Sequence, residues 1–287
     1  KNKKEKIKTM PGIYRYSIDK LSSILDEAEK FKIPMIALFP NTSNHQRDSK
    51  GSEALNEDNL ICRAIKLIKK KYNKFGVMTD VALDPYTSHG HDGIILNGKI
   101  DNDETLKILE KQALLQASVG SDVIAPSDMM DGRIGIIRKS LDKKKLKDTQ
   151  ILSYAVKYAS NFYGPFRDAI GSKQKLKGDK KTYQMDMRNY TESLREVGLD
   201  IREGADFVMV KPGMPYLDII SQIKQNFKIP VFSYQVSGEY SMIVNSIKNK
   251  SLNENVIYES LISLKRAGSN AIVTYFALDI VKKISKY

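Results

Sequence analysis

The stretch Ile151-Leu-Ser-Tyr-Ala-Val156, closed by Lys157, decides the fold of this chain. A second apolar run, Phe207-Val-Met-Val210, is closed in the same way by Lys211. Strands this apolar have both faces buried, and a lysine at the carboxyl end of such a strand points into a site ringed by loops. Burial or a second cation lowers the pKa of an amine there, so both lysines are candidates for imine-forming catalysts. The competing interpretation is that each is an ordinary solvated lysine.

Apolar strands alternate with amphipathic helical patterns on both sides of these two runs. The strand patterns cover 34–39, 75–83, 122–125, 151–156, 207–210, 231–234 and 271–275. The helical patterns cover roughly 17–31, 57–72, 103–119, 187–203, 217–227 and 253–267, with a last helix after Phe276. This alternation predicts parallel strands that are joined by right-handed helical crossovers.

Seven strand patterns are one short of a closed (β/α)8 TIM barrel, which is the fold class that the sequence predicts. The missing strand should precede Met10, because residues 1–9 are polar and charged without a strand pattern. We therefore expect a single TIM-barrel domain over 1–287 that is N-terminally truncated and lacks its first strand. The alternative, an open doubly wound sheet, normally carries a glycine-rich phosphate turn after its first strand, and the sequence shows none.

Composition and charge narrow the class of protein. Hydrophobic residues make up 41% of the chain, enough for a sizeable core. A membrane-spanning helix needs about 18 consecutive apolar residues, and the sequence contains no such run. Cys62 is the only cysteine, which excludes an internal disulfide framework and a thiolate metal cluster. The net charge of +13 raises nucleic acid as a partner, but the basic runs lie far apart and are mixed with acids. Solvated helix faces explain these runs better, so we expect neither a nucleic acid nor a membrane as a partner.

The segment between the two lysines predicts a substrate-binding loop. Lys157 and Lys211 should end neighbouring strands about 4.8 Å apart, so each amine opposes protonation of the other and at least one is a free base near neutral pH. The polar stretch 171–178, flanked by glycines, favours a lid over about 171–186. Arg167 and Lys180 give this region cations suited to a substrate carboxylate, although surface basicity explains them equally well.

Acidic, imidazole and hydroxyl groups follow other strand patterns. The stretch 80–93 carries Asp80, Asp84, His89, His91 and Asp92. Its carboxylate oxygens would favour a hard ion such as Mg²⁺ over zinc, but the same residues could simply shape a long turn. Hydroxyl groups at 237, 274 and 275 lie at the ends of the last two strand patterns, where they could bind a second carboxylate or act as caps.

Three blocks of the sequence carry a family resemblance. They are Ala125-Pro-Ser-Asp-Met-Met-Asp-Gly-Arg133, Ser153-Tyr-Ala-Val-Lys-Tyr-Ala-Ser-Asn-Phe-Tyr-Gly-Pro-Phe-Arg167 and Val208-Met-Val-Lys-Pro-Gly-Met-Pro-Tyr-Leu-Asp218. With a match from Met10 almost to the C-terminus, the chain resembles porphobilinogen synthase, also called 5-aminolevulinate dehydratase. The resemblance implies a lyase (5-aminolevulinate hydro-lyase) of tetrapyrrole (heme) biosynthesis. It would condense two molecules of 5-aminolevulinate, with loss of two waters, to porphobilinogen.

The resemblance implies separate roles for the site residues. Lys211 would form a Schiff base with the substrate that becomes the propionate side, and Lys157 would hold the second ketone as an imine. The carboxylate of the first substrate would be bound by Ser237 and Tyr275, and that of the second by Arg167, Lys180 and Gln184. Lys180 stands where relatives often carry arginine, so the charge is kept but the planar fork is lost, and we expect weaker or more mobile binding there.

The resemblance also bears on protons and metals. Asp80 and Asp128 would support proton transfers. Zinc-dependent relatives carry cysteines at three positions where this chain has Ala82, Asp84 and Asp92. Catalytic zinc bound by thiolates is therefore excluded. With aspartate at two of these positions, the sequence resembles the aspartate-rich variant of plants and plastid-bearing organisms. Whether Asp84 and Asp92 hold a metal stays open. Glu196 matches a position whose carboxylate serves an allosteric Mg²⁺ away from the active site; the alternative is an exposed helical glutamate.

Assembly and location are implied as well. Family members form homo-octamers of hugging dimers through an N-terminal arm that precedes the first strand. Because the arm and the strand are both missing from the pattern, we expect this chain alone to be poorly stable and altered in assembly. A plastid-type organelle is the expected location, with the cytoplasm as the alternative.

Two other functions compete with this interpretation. A class I aldolase with a single Schiff-base lysine explains Lys211 but gives no role to Lys157 together with Arg167. A basic barrel that binds nucleic acid without catalysis predicts steeply salt-dependent binding, and it leaves the strand-end motifs unexplained.

Overall fold

The structure is a computed structural model that describes residues 2–171, 176 and 178–284. Its strands are β1 (Lys4–Lys6), β2 (Tyr14–Tyr16), β3 (Met35–Leu38), β4 (Gly76–Val81), β5 (Ile94–Leu96), β6 (Lys99–Asp101), β7 (Val123–Pro126), β8 (Gln150–Lys157), β9 (Phe207–Lys211), β10 (Val231–Tyr234) and β11 (Ala271–Val273). Its α-helices are α1 (Ser22–Lys30), α2 (Leu60–Lys71), α3 (Asn102–Ser118), α4 (Arg133–Lys143), α5 (Gly164–Ala169), α6 (Thr191–Glu203), α7 (Leu217–Asn226), α8 (Ser237–Lys248), α9 (Asn255–Ala267) and α10 (Ala277–Ile284). In the described part of the chain, no helix is long and apolar enough to cross a membrane.

Seven strands form one sheet in the order β3-β4-β7-β8-β9-β10-β11, and each adjacent pair is parallel. The seven predicted strands and their parallel arrangement are thereby confirmed. Helices follow the strands as crossovers, and the sheet curls as the wall of a TIM-type barrel. Among the described residues, β3 and β11 are the two edges of this sheet.

Alternate residues of the strands pack on opposite sides of the wall. The interior of the barrel is filled by a cluster that includes Met78, Val123, Ala125, Leu152, Tyr154, Met209, Phe232 and Tyr234. The residues between them pack outward against the helices, as Ile124 and Ile151 do in one cluster and Val208 and Val231 in another. Burial on both faces explains why the strands read as continuous apolar runs.

The strand β8 carries one more residue than β9 in the segment that precedes the two lysines. Ser153 pairs with Val208, but Val156 then pairs with Val210 and Lys157 with Lys211. Three steps along β8 therefore match two steps along β9, which is a β-bulge. Because side chains alternate at a period of two, the extra residue brings Lys157 to the inward face, where Lys211 also lies.

The N-terminal segment differs from the prediction. Residues 1–9 were expected to lack a strand, but β1 pairs antiparallel with β2 in a hairpin outside the main sheet. The charged side chains of β1 are held by β2: Lys4 Nζ lies 4.5 Å from the ring centre of Tyr14, and Glu5 pairs with Arg15 at 3.5 Å. These contacts across the hairpin replace the apolar alternation that strand prediction relies on.

Several helices also differ from the prediction. The helices α4, α5 and α8 and the hairpin β5–β6 were not predicted, and α6 begins at Thr191 instead of residue 187. The helix α1 begins at Ser22, after a 3₁₀ turn at Ile18–Lys20. The start of α8 shows why this helix was not predicted. The carboxylate of Glu239 accepts the backbone N–H of Val236 at 2.6 Å, so the helix begins after a strand end without a conventional polar N-cap residue. Of the lid prediction, residues 172–175 and 177 lie outside the described residues.

Candidate active site

Lys157 and Lys211 lie side by side at the carboxyl ends of β8 and β9. They are direct partners in the register of the two parallel strands, so the prediction that they end neighbouring strands is confirmed. Both are buried, with 5% and 6% of their surface exposed. At this short distance the positive charge of Lys157 disfavours protonation of the buried Lys211.

Lys211 is surrounded by aromatic rings. Its Nζ atom lies 4.7 to 5.3 Å from the ring centres of Tyr154, Tyr163, Phe166 and Tyr234. Burial lowers the pKa of Lys211 to about 7, and the positive charge of Lys157 acts in the same direction. About half of this amine is therefore free base at pH 7, and the free base is the form that attacks a ketone.

Lys157 faces oxygen atoms instead of rings. Its Nζ donates to the backbone carbonyl of Ser127 and lies 3.8 Å from Asp92 Oδ1. Asp80 lies close enough for its charge to act on both lysines, and its Oδ1 has no hydrogen-bond partner among the described residues. Burial, followed by the charge of Asp84, raises the pKa of Asp80 to about 6. A carboxyl group with such a pKa can both give and take a proton near neutral pH.

Lys180 bridges two aspartates. Its Nζ lies 3.2 Å from Asp84 Oδ2 and 2.8 Å from Asp92 Oδ2, and all three side chains are at most 10% exposed. Burial opposes ionisation of Asp92, but Lys157 and Lys180 outweigh burial and lower its pKa to about 2. Burial likewise opposes the charge of Lys180, whose pKa is nevertheless raised by the two carboxylates. The ammonium group thus supplies the positive charge between Asp84 and Asp92.

The other residues predicted to bind the second carboxylate lie around this cluster. Arg167 is half-buried on α5. Gln184 is buried, and its backbone N–H donates to the backbone carbonyl of Lys180 at 2.9 Å. This turn fixes the side chains of Lys180 and Gln184 relative to each other.

The residues predicted to bind the first carboxylate follow β10 and β11. Ser237 is the first residue of α8; its Oγ accepts the N–H of Phe166 at 2.8 Å and donates to the carbonyl of Phe162 at 3.4 Å. The hydroxyl of Tyr275 lies 3.3 Å from that of Tyr234, and burial raises the pKa of Tyr275 to about 12. Both hydroxyls stay neutral at physiological pH and are suited to donating to a carboxylate.

Glu239 joins the loop after Lys211 to the segment that carries Ser237. Its carboxylate accepts N–H groups of Met214 at 2.6 Å, Gly213 at 3.3 Å and Val236 at 2.6 Å. Burial raises the pKa of Glu239 to about 7 although these three donors favour the charged form. Sequence reasoning missed this role, and it also missed the four rings around Lys211. Tyr154, Tyr163 and Phe166 lie in the block 153–167 that carries the resemblance, but their place in that block does not reveal a contact with Lys211.

The histidines of the segment 80–93 support its backbone. His91 N–H donates to His89 Nδ1 at 3.2 Å, His89 Nε2 contacts the carbonyl of Ser49 at 3.3 Å, and His91 Nδ1 contacts Tyr183 OH at 3.0 Å. These contacts favour the interpretation of the segment as a long shaped turn. Within the residues that the structure describes, no group of three histidine, cysteine, aspartate or glutamate side chains is arranged to hold a metal ion.

The charges of Asp128 and Glu196 both act on the buried Arg133. Burial raises the pKa of Asp128 to about 6, against the effect of Arg133, whose Nε lies 3.7 Å from its Oδ2. Glu196 is half-buried on α6, where burial, followed by the charge of Asp200, raises its pKa. A carboxylate with acidic neighbours is stabilised by a nearby cation, and the role of Glu196 in binding Mg²⁺ stays a prediction.

Comparison with known proteins identifies the family. The family model described as delta-aminolevulinic acid dehydratase matches residues 1–283. A delta-aminolevulinic acid dehydratase of Bradyrhizobium diazoefficiens is 56% identical over 284 residues, which is 99% of this chain and 80% of that protein. A chloroplastic delta-aminolevulinic acid dehydratase of Pisum sativum is 48% identical and matches over 97% of this chain and 70% of that protein.

A solved structure agrees with these relatives. The delta-aminolevulinic acid dehydratase (porphobilinogen synthase) of Toxoplasma gondii, in complex with its reaction product porphobilinogen, superposes with a TM-score of 0.98 at 43% identity. The match covers all of this chain and 82% of that chain. The paired lysines, the barrel and these comparisons all lead to one conclusion: the chain belongs to the delta-aminolevulinic acid dehydratase family of lyases.

Proposed function

We propose that this chain condenses two molecules of 5-aminolevulinate to porphobilinogen, with Lys211 and Lys157 each holding one substrate as a Schiff base. The observation that carries the proposal is the pair of buried lysines in direct register at one strand end. Lys211 supplies the first nucleophile, because burial lowers its pKa to about 7. A free amine can attack the substrate ketone without first losing a proton to solvent.

The chemistry balances with two lysines and two substrates. Each amine adds to one ketone and releases one water, which gives two imines and two waters. A protonated imine acidifies its neighbouring C–H group, so one substrate becomes a carbon nucleophile while the other remains an electrophile. One C–C bond and one C–N bond then join the substrates, loss of ring protons gives the pyrrole, and both lysines return as free amines.

Buried carboxyl groups are suited to the proton transfers of this sequence. Asp80 faces both lysines, and burial raises its pKa to about 6. Asp128, whose pKa burial also raises to about 6, follows β7 in the same ring of loops. We assign Asp80 the closer role because its charge acts on both amines.

The two substrate carboxylates would be held at different ends of the site. Ser237 and Tyr275 would bind the first, and Arg167, Lys180 and Gln184 the second. An ammonium group has three N–H donors, and Lys180 directs donors to Asp84 and Asp92. A further donor is left for the substrate, so the ion pairs of Lys180 are compatible with this role.

The metal that fits this chain is Mg²⁺ near Glu196. Thiolate zinc does not fit, because the one cysteine, Cys62, is buried in α2. Asp84 and Asp92 already enclose the ammonium of Lys180, so we propose no metal between them. Mg²⁺ keeps several of its waters and binds through one or two carboxylates, which suits the half-buried Glu196, whose acidic neighbour Asp200 is already paired with Arg133. When bound there, the ion would neutralise Glu196 and stabilise α6.

For the full-length protein we propose a homo-octamer. Large apolar side chains are exposed on the described surface, among them Met187, Tyr190, Met242, Tyr258 and Ile284. Aromatic residues and methionine are enriched in subunit contacts. Sedimentation of the full-length protein with and without Mg²⁺ tests the proposal, and a monomer under both conditions would contradict it.

We propose a plastid-type organelle as the location, with the cytoplasm as the alternative. The aspartates at 84 and 92 resemble those of the plant variant, and relatives from Pisum sativum and Oryza sativa are named chloroplastic. The 56% identity to a bacterial relative supports the alternative. Fluorescence microscopy of the tagged protein in its own cells distinguishes the two.

Borohydride trapping tests the catalytic assignment. The protein is reduced in the presence of 5-aminolevulinate and its peptides are mapped by mass spectrometry, with Lys211→Met and Lys157→Met compared with Lys265→Met, which changes an exposed lysine of α9. We expect adducts on Lys211 and Lys157, and loss of porphobilinogen formation in both catalytic variants but not in Lys265→Met. An unmodified Lys211, or turnover by Lys211→Met, would refute the proposal. Full activity of Lys157→Met would favour a one-lysine aldolase mechanism.

A further inference from the structure

The helix that carries Arg167 is too short to be stable alone. The helix α5 has six residues and ends at Ala169, with Ile170 as its C-terminal cap residue. Isolated helices of this length are unstable in water, and the last carbonyl groups of any helix lack partners within it. The position of Arg167 therefore depends on whatever binds the end of α5.

Two guanidinium groups bind the end of this helix. Arg47 donates to the carbonyl of Ile170 at 2.8 Å, and Arg15 donates to the carbonyls of Ala169 at 3.2 Å and Asp168 at 3.3 Å. Positive charge at a helix C-terminus also complements the helix dipole. Every one of the last three carbonyls of this segment is thus held by an arginine.

Arg47 connects α5 to the aspartate cluster as well. Its guanidinium donates to the carbonyl of Asp84 at 3.3 Å and to that of Thr42 at 3.1 Å, and the residue is only 8% exposed. Asp84 is the residue whose carboxylate holds Lys180. A single buried side chain therefore fixes the backbone on both sides of the second carboxylate site, using the planar fork that only arginine offers.

We propose that Arg47 is a positioning residue for the second substrate, which sets the separation between Arg167 and the Asp84–Lys180 pair. The proposal rests on the proposed role of Arg167 in binding the second carboxylate. Misplacing a binding group by a small distance costs much of its contribution, because the hydrogen-bond geometry to a carboxylate is narrow. Loss of Arg47 should therefore act on substrate binding even though Arg47 itself does not touch the substrate.

Steady-state kinetics of Arg47→Lys test the proposal. Lysine keeps the charge but cannot reach three carbonyls at once, so we expect KM for 5-aminolevulinate to rise about tenfold or more and kcat to fall less. Trapping of an adduct on Lys211 with levulinate, the keto acid without the amine, should stay as in the unmodified protein. Arg63→Lys, which changes an exposed arginine of α2, is the matched control and should change neither.

A double-mutant cycle separates positioning from a general structural role. If Arg47 acts through Arg167, Arg47→Lys should raise KM much less in the background of Arg167→Met than in the unmodified protein. Independent, additive effects, or an unchanged KM in Arg47→Lys, would overturn the proposal. An unchanged KM in Arg167→Met alone would overturn the role of Arg167 itself, which is a distinguishable result.

A second variant covers the case that Arg47→Lys fails to fold. Arg15→Lys removes the bonds to the carbonyls of Asp168 and Ala169 but leaves those of Arg47 in place. We expect a smaller rise in KM in the same direction, again dependent on Arg167. A drop in melting temperature without any rise in KM would count against the proposal.

Discussion

The low pKa of Lys211 leads to the prediction that is easiest to test. Burial and the charge of Lys157 lower its pKa from 10.5 to about 7. At pH 7, half of such an amine is free base, against about one part in 3000 for an ordinary lysine. We therefore expect Schiff-base formation at Lys211 to rise with pH around a midpoint near 7 and to level off above it, since only the free base attacks the ketone.

Removing the neighbouring charge should move this midpoint. Strands lie about 5 Å apart, and at an effective dielectric constant of about 20 two positive charges at that distance repel by about 3 kcal/mol. In Lys157→Met this repulsion disappears, so the pKa of Lys211 should rise by up to about two pH units. It should remain below the ordinary value of a lysine, because burial is the larger cause of the shift and is unchanged.

The assay is borohydride trapping with levulinate at a series of pH values. The adduct on the Lys211 peptide is quantified by mass spectrometry in the unmodified protein, in Lys157→Met and in the control Lys265→Met. A midpoint near 10.5 in the unmodified protein would refute the argument from burial. The same midpoint in Lys157→Met as in the unmodified protein would refute the contribution of the neighbouring charge.

Four further predictions concern other parts of the site. Lys180→Arg should lower KM by several-fold, because the guanidinium fork binds a carboxylate through two parallel bonds; initial rates measure it. Gly238→Ala should destabilise the fold by about 1–3 kcal/mol in urea unfolding, because a Cβ atom there would lie 2.4 Å from the carbonyl oxygen of Phe162. The pKa of Glu239 is raised from 4.5 to about 7 by burial, so stability should fall as pH rises through this window, and Glu239→Gln should remove that dependence in unfolding curves. Glu196→Gln should shift activation by Mg²⁺ to about tenfold or higher concentrations in a metal titration, and unaltered activation would exclude Glu196 from that site.

The strand pattern and the lysine pair could be predicted from local sequence. Runs such as 151–156 and 207–210 are apolar at nearly every position, which predicts strands buried on both faces. Two such strands in succession, linked by one crossover, become neighbours, and their ends meet at the same edge. For this reason Lys157 and Lys211 were expected together, and the register of β8 and β9 places them together.

The surroundings of the lysines could not be predicted in the same way. The rings of Tyr154, Tyr163, Phe166 and Tyr234 come from three separate segments, and no spacing in the sequence relates them to Lys211. The same holds for Lys180, which was expected to bind a substrate carboxylate and whose ion pairs with two aspartates of a distant loop were not foreseen. Contacts of this kind depend on how loops converge above the barrel.

By itself, the sequence determined the order of the seven sheet strands and of most helices between them, the barrel class and the pair of candidate amines, because these follow from periodicity and from the fixed handedness of crossovers. Only the tertiary structure decided how the amines are used. One extra residue in β8 turns Lys157 toward the interior. The burial that lowers the pKa of Lys211 exists only when the rings, the neighbouring amine and the barrel wall exclude water together.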